Sequence, residues 1–167
     1  MIPNHVIEYL EAHGIPYRRR PHARAVTGSE LAQSLHVTGY RVAKTVIVSR
    51  DGELMMAVLP VADRVDLVRL GELLGAPVAF VPEDDFAKAF AGCEPGAEPP
   101  FGKLYGMPVV IDDTLLDADR IVIRAGSHRE SLEMSTQDFV ELERPRIGSF
   151  AVLPVWAEAA GQREMRV

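Results

Sequence analysis

The chain has 167 residues, of which 47% are hydrophobic and 25% are charged, and its net charge is −6. This length suits one domain with a sizeable core, so we expect residues 1–167 to form a single domain. The acidic balance argues against broad binding along duplex DNA, which requires a basic surface, but it allows a small basic pocket for one end of a nucleic acid.

The first part of the chain predicts two helices and a hairpin. Residues 3–13 have helical apolar spacing, and Thr27 with Glu30 forms a capping-box pattern at the start of a second helix. Residues 15–22 between them read as a short extended segment. The run "YRVAKTVIVSRDGELMMAVLPV" contains two β-rich segments around the tight-turn pair Asp51–Gly52. We therefore predict an antiparallel hairpin here.

The second part alternates short helices and strands up to a weakly patterned tail. The predicted elements are a helix over 63–75 with Asp63 as N-cap, a strand over 77–81, a helix over 82–90, strands over 107–112, 119–126 and 128–135, and a helix over 135–142. From Pro145 onward we predict irregular or weakly helical structure. Because hairpins require antiparallel pairing, the pattern predicts an α+β (mixed α/β) fold with antiparallel strand pairs.

A glycine- and proline-rich segment, "GCEPGAEPPFG" at 92–102, interrupts these elements. It lies inside the domain, between a helix and a strand, and is poor in the polar residues of flexible linkers. We therefore predict a structured loop. Gly96 and Gly102 could present backbone N–H groups to a ligand, and the three prolines would stiffen the loop.

Sequence motifs of common active sites are absent. There is no nucleophile elbow, phosphate-binding loop, dinucleotide fingerprint or zinc-binding helix, and the five histidines lack metal-ligand spacing. We therefore expect no metal and no cofactor. Cys93 is the sole cysteine, which excludes an intramolecular disulfide, and the neighbouring Glu94 would oppose thiolate formation. A structural role for Cys93 is the favoured interpretation.

Three further features have both structural and functional interpretations. Lys44 interrupts an apolar strand, either as a solvent-facing edge residue or as a cation for a phosphate or an anionic transition state. His128 follows a glycine turn, as a turn residue or as part of a site rim. The run "RRR" at 18–20 is either a solvated face or a phosphate contact.

The amino-terminal segment lacks the basic region of a signal peptide, and the apolar runs are too short for a membrane helix. We therefore expect a cytoplasmic protein without a membrane segment.

Three segments together resemble the YbaK/EbsC-like aminoacyl-tRNA deacylases, which also occur as the editing domain inserted in bacterial prolyl-tRNA synthetases. These are "HVTGYRVAKTVIV", "GCEPGAEPPFG" and "RIVIRAGSHRESLEMSTQDFVEL", and the likeness covers most of residues 20–143. The resemblance implies a curved, mixed, mostly antiparallel sheet with flanking helices and a core in about residues 20–150. It implies hydrolysis, in trans, of a wrong small amino acid from the terminal adenosine of a tRNA, with tRNA-Pro as the expected type.

The same resemblance implies the site residues and partners. The essential lysine of the family corresponds to Lys44. The implied substrate-binding residues are Gly92, Pro95, Gly96, Pro100, Phe101 and Gly102 from the loop, and Gly126, Ser127 and His128 from the later turn. The implied partner is the acceptor end of an aminoacyl-tRNA, with a tRNA synthetase as a further candidate.

Three other functions are compatible with the sequence. The protein could be a non-catalytic module that binds tRNA or a synthetase, with Lys44 serving affinity alone. It could be a hydrolase or transferase that uses Cys93. It could also be an esterase that acts on small molecules.

Overall fold

The structure, a computed structural model, describes residues 1–154. These residues form ten strands: β1 (Arg18–Pro21), β2 (Val42–Arg50), β3 (Glu53–Pro60), β4 (Arg64–Val65), β5 (Val78–Phe80), β6 (Val109–Asp112), β7 (Arg120–Arg124), β8 (Glu130–Ser135), β9 (Arg146–Gly148) and β10 (Ala151–Val152). They also form six α-helices: α1 (Asn4–Ala12), α2 (Gly28–Ser34), α3 (Leu67–Leu74), α4 (Glu83–Phe86), α5 (Gly102–Tyr105) and α6 (Thr136–Glu143). Short 3₁₀ helices follow α4 and β6.

One mixed sheet organises the chain. Its strand order is β1-β8-β7-β2-β3-β6-β9, and β5 pairs with the far end of β2. The pairings β1/β8, β7/β8, β2/β3 and β2/β5 are antiparallel, whereas β2/β7, β3/β6 and β6/β9 are parallel. The predicted α+β fold with a mostly antiparallel sheet is therefore confirmed, and parallel pairings join its hairpins.

Helices cover both faces of this sheet. On the first face, the largest apolar cluster includes residues of α1 and α6, among them Leu10 and Phe139, packed against β2, β3 and β6–β8. On the second face there are two separate clusters. One contains Leu31 of α2 with Val42 and Val122, and the other contains residues of α3 with β3 and β6. A gap therefore separates these two clusters on the second face of the sheet.

Local sequence signals predicted several elements correctly. The Thr27 side chain accepts a hydrogen bond from the Glu30 amide, and the Glu30 carboxylate accepts one from the Thr27 amide, so the capping box is confirmed. The hairpin is confirmed as well, with Asp51 and Gly52 both at positive φ (52° and 81°) in the turn. Such left-handed backbone suits the Asp-Gly pair.

Two predictions about element boundaries were wrong. Asp63 does not cap α3; Asp66 does, because its side chain accepts hydrogen bonds from the amides of Val68 and Arg69. The residues between Asp63 and Asp66 instead form β4, which pairs with β10. The tail also contains strands within its described part, because β9 and β10 find hydrogen-bonding partners in β6 and β4. Residues 155–167 lie outside the described part of the chain.

None of the helices within residues 1–154 has the length and apolar character needed to cross a bilayer.

Candidate active site

Lys44 lies on the second face of the sheet, between the two apolar clusters. Side chains alternate along a strand, so Val42, Lys44 and Val46 of β2 point to the same face. Val42 belongs to the cluster under α2, whereas Val46 packs against the cluster under α3. The lysine therefore occupies the gap that the two helices leave uncovered.

A cavity of about 200 Å³ lies at this gap. Its apolar wall comes mainly from α2 and the strands beside it, and its polar wall combines charged side chains with backbone of β2 and of a loop glycine. The apolar members are Val26, Leu31, Val42 and Val61, and the polar members are Lys44, Thr45, Glu98 and Arg124, with Gly28 and Gly96 contributing backbone. Such a mixture of apolar surface and a few charged groups is typical of ligand sites.

Arg124 stands next to Lys44 on the neighbouring strand. The parallel register of β2 and β7 pairs Val42 with Val122 and Ala43 with Ile123, which puts the next residues, Lys44 and Arg124, side by side. Arg124 is 5% exposed, and its Nη2 donates hydrogen bonds to the carbonyl oxygens that precede α2. Burial lowers the pKa of its guanidinium, and nearby glutamates partly offset this effect. The guanidinium thus holds the start of α2 against the sheet.

Lys44 is the more accessible of these two cations. Burial lowers the pKa of its ammonium group, and the negative charge of Asp63 opposes that shift. Asp63 is almost fully buried, with 1% of its surface exposed. A half-buried lysine loses part of its hydration, so it interacts more strongly with an incoming anion than a surface lysine does.

The glycine- and proline-rich loop folds back onto the turn between β7 and β8. The Glu94 amide donates to the Gly126 carbonyl (3.0 Å), and the Gly126 amide donates to the Ala97 carbonyl (2.7 Å). The Glu94 carboxylate accepts a hydrogen bond from the His128 amide. The prediction of a structured loop is therefore confirmed. The loop at 92–102 and the turn at 126–128, which the resemblance assigns to the substrate site, are thus hydrogen-bonded to each other.

His128 and Ser127 are buried supports of this contact. His128 is 4% exposed, and its Nε2 lies 2.7 Å from the Pro95 carbonyl oxygen, to which it donates. Ser127 is 1% exposed, and its Oγ accepts a hydrogen bond from the Arg129 amide. Neither side chain lines the small cavity. Their predicted contact with substrate stays a prediction, and the structure gives His128 a role in holding the loop, whereas the Ser127 side chain binds within its own turn.

The end of the loop is anchored in the main core. Phe101 is fully buried, and its ring centroid lies 5.5 Å from that of Tyr9 and 6.2 Å from that of Phe139. A Cβ on Gly102 would come within 2.2 Å of the Met107 carbonyl oxygen, so only glycine fits here. Pro100, just before them, is also buried. These residues lie away from the cavity that contains Lys44.

Of the predicted site residues, the structure brings Lys44 and Gly96 together at the cavity. Gly96 has a φ of 84°, but its amide donates to the Glu98 carboxylate (3.0 Å), so this N–H is already used within the loop. Gly92 and Pro95 are exposed in the same loop.

Sequence reasoning missed Glu98 and Arg124 as cavity residues. For Arg124 a signal was present, because it places a charge at the end of the apolar strand "RIVIR", much as Lys44 interrupts "VAKTVIV". For Glu98 there was no local signal, since only the fold of the loop decides which of its acids faces inward.

Cys93 lies outside the small cavity. Its Sγ is 3.6 Å from the Tyr105 hydroxyl oxygen, and burial raises the pKa of the thiol. A thiol with a raised pKa holds little of the reactive thiolate at neutral pH. This placement agrees with the structural interpretation of Cys93.

Another cavity, of about 520 Å³, lies at the start of β7, and Arg41, Asp119 and Arg120 are among its lining residues. None of the predicted site residues lines it. We place the candidate site in the smaller cavity because that cavity combines the buried charges with the predicted lysine. Within residues 1–154, no cluster of histidine, cysteine and acidic side chains is arranged to hold a metal ion.

A small cavity with two cations and one carboxylate thus lies on one face of a mixed sheet. The comparisons with known proteins specify the family. A profile of the aminoacyl-tRNA editing domain matches residues 22–142, and the chain belongs to that family.

Solved structures confirm the fold. The hypothetical protein APE2540 is 25% identical, the match covers 88% of this chain and 99% of that one, and the TM-score is 0.80. A crystal structure of a proposed trans-editing enzyme for prolyl-tRNA synthetase is 19% identical, with coverage of 88% and 94% and a TM-score of 0.76. A proposed signal transduction protein from Marinobacter aquaeolei VT8 contains a similar unit, with 20% identity, coverage of 91% and 31%, and a TM-score of 0.74.

Proposed function

We propose that this protein is a trans-editing hydrolase that removes a small amino acid from mischarged tRNA in the cytoplasm, with tRNA-Pro as its expected substrate. The observation that carries the proposal is the half-buried Lys44 on the wall of a cavity of about 200 Å³. Membership of the editing-domain family supports the substrate class. The solved structure of a proposed trans-editing enzyme for prolyl-tRNA synthetase supports action in trans.

The cavity suits hydrolysis of an ester that is already activated. An aminoacyl ester needs an oriented water and a stabilised oxyanion, and both can come from binding and electrostatics without a nucleophilic side chain. Lys44 would hold the terminal phosphate or sugar and stabilise negative charge on the reacting carbonyl. A ribose hydroxyl of the substrate would help to activate the water.

The size of the cavity would provide selectivity. Leu31, Val42 and Val61 form a close apolar wall, which would admit small side chains and reject bulky ones. This sieve would complement a synthetase that cannot reject a near-isostere by binding alone.

The experiment is deacylation of a panel of mischarged tRNAs by wild type, Lys44→Met and Lys88→Met. The panel pairs tRNA-Pro with alanine, serine and cysteine, and it includes small amino acids on other tRNAs. We expect turnover of at least one small aminoacyl ester and a loss of about 10²–10³-fold in Lys44→Met, the usual effect of removing one group that stabilises an oxyanion. Lys88 is exposed and serves as the matched control. No turnover by wild type across the panel would overturn the proposal.

A binding module is the second candidate, because among residues 1–154 no histidine, cysteine or serine side chain lines the small cavity to act as base or nucleophile. Wild type that binds tRNA without hydrolysing any ester would establish that candidate.

A further inference from the structure

Glu98 is an acidic side chain on the wall of the small cavity, opposite in charge to Lys44 and Arg124. It is 8% exposed, and its Oε1 accepts a hydrogen bond from the Gly96 amide at 3.0 Å. The guanidinium of Arg124 is near enough for the charge of Glu98 to act on it, because Glu98 is one of the glutamates that raise the pKa of Arg124. Burying a carboxylate costs free energy unless it is paired, so a cationic group bound in the cavity would add to the stabilisation that Arg124 gives to Glu98.

The backbone contact fixes the direction of that carboxylate. Gly96 holds one oxygen through its amide, and Gly96 itself lines the cavity beside Glu98. The Nη2 of Arg124 donates to the carbonyls of Val26 and Thr27, and its buried Nη1 makes no hydrogen bond within residues 1–154, so Arg124 acts on Glu98 through its charge alone. The cavity therefore has a cationic side, formed by Lys44 and Arg124, and one anionic point.

The charges of an aminoacyl ester match this arrangement. Its α-ammonium group is attached to the carbon next to the ester carbonyl, so a small cavity that binds the carbonyl must also surround the ammonium. A cation at the carbonyl and a carboxylate at the ammonium would both be satisfied in one pose.

We propose that Glu98 binds the α-ammonium group of the aminoacyl ester and so selects esters with a free amino group. This inference rests on the proposed function. It predicts that 2-hydroxyacyl esters, which carry a hydroxyl in place of the ammonium, are poor substrates. The competing explanation is that Glu98 only neutralises the cavity cations and holds the loop through Gly96.

The test compares two pairs of esters on tRNA-Pro. The first pair is the alanyl and the lactyl ester, and the second is the seryl ester and the ester of glyceric acid. Within each pair the acyl groups differ only in ammonium against hydroxyl, so their sizes match. The quantity measured is the ratio of kcat/KM for the aminoacyl ester to that for its hydroxyacyl analogue. Because each variant is compared with wild type, the different intrinsic reactivities of the two esters cancel.

Glu98→Gln keeps the volume of the side chain and an oxygen for the Gly96 amide, but removes the charge. We expect it to lower the aminoacyl-to-hydroxyacyl ratio by about 10- to 100-fold, the usual effect of losing a hydrogen bond to a charged group. Glu83→Gln removes the same charge at an exposed side chain of α4 outside the cavity, and it should leave the ratio unchanged.

An unchanged ratio in Glu98→Gln, or an equal fall in both activities, would overturn the role of Glu98 and leave the deacylase proposal intact. If wild type hydrolyses neither class of ester, the deacylase proposal itself fails.

Discussion

Replacing Phe101 with alanine distinguishes a substrate-binding role from an anchoring role. The sequence resemblance assigns Phe101 to the substrate site, whereas the structure buries it completely between Tyr9 and Phe139. Truncation of a buried phenylalanine costs about 3–5 kcal/mol, because apolar contacts are lost and a cavity remains. For a chain of this size, each kcal/mol shifts the melting temperature by about 2–4 °C. We therefore expect Phe101→Ala to melt roughly 6–20 °C below wild type.

Thermal unfolding monitored by circular dichroism, together with deacylation assayed well below the melting temperature, measures both effects. Phe80→Ala is the matched control, since Phe80 is 55% exposed and the same truncation there should change stability little. An anchoring role predicts a large loss of stability in Phe101→Ala and partial recovery in Phe101→Leu. A melting temperature within about 3 °C of wild type, combined with a raised KM, would refute the packing argument and restore Phe101 to the substrate site.

Two further predictions concern a buried acid and the single cysteine. Burial alone would raise the pKa of Glu133, but hydrogen bonds from Arg120 and Arg20 outweigh it and leave the pKa below its ordinary value. A depressed pKa in the folded state stabilises the protein above the unfolded-state pKa, and this stability is lost as the pH falls through the folded-state pKa. Urea unfolding of Glu133→Gln should therefore show a shallower loss of stability in acid, by up to about 1.4 kcal/mol per pH unit, while Glu141→Gln on the surface follows wild type. Cys93→Ser should retain kcat/KM within about twofold, because burial raises the pKa of the thiol and disfavours the thiolate; loss of activity in that variant, with its fold intact, would point to a cysteine-dependent enzyme.

The site combines contributions from distant parts of the chain. Lys44 comes from β2, Arg124 from β7 and Glu98 from the loop before α5, and α2 closes the apolar side. The buried charges cost folding free energy, which the apolar clusters around them offset. Replacing Lys44 by an apolar side chain is therefore expected to affect activity more than stability, whereas replacing Arg124 also removes the hydrogen bonds that hold the start of α2.

The sequence alone determined the elements that depend on neighbouring residues. The Thr27–Glu30 capping box and the Asp51–Gly52 turn each involve residues at most three positions apart. Both features can therefore be predicted from neighbouring residues alone. Lys44 could be singled out for the same reason, because it breaks the apolar pattern of its own strand.

Only the tertiary structure decided which side of the loop faces the cavity. Phe101 and Glu98 lie in the same loop, yet Phe101 is bound to α1 and α6 while Glu98 lines the cavity with Lys44 and Arg124. Likewise, β9 became a strand because β6 offers it a hydrogen-bonding edge, although its own residues carry no clear strand pattern. These outcomes depend on contacts between residues far apart in sequence, and such contacts exist only once the sheet has brought the segments together.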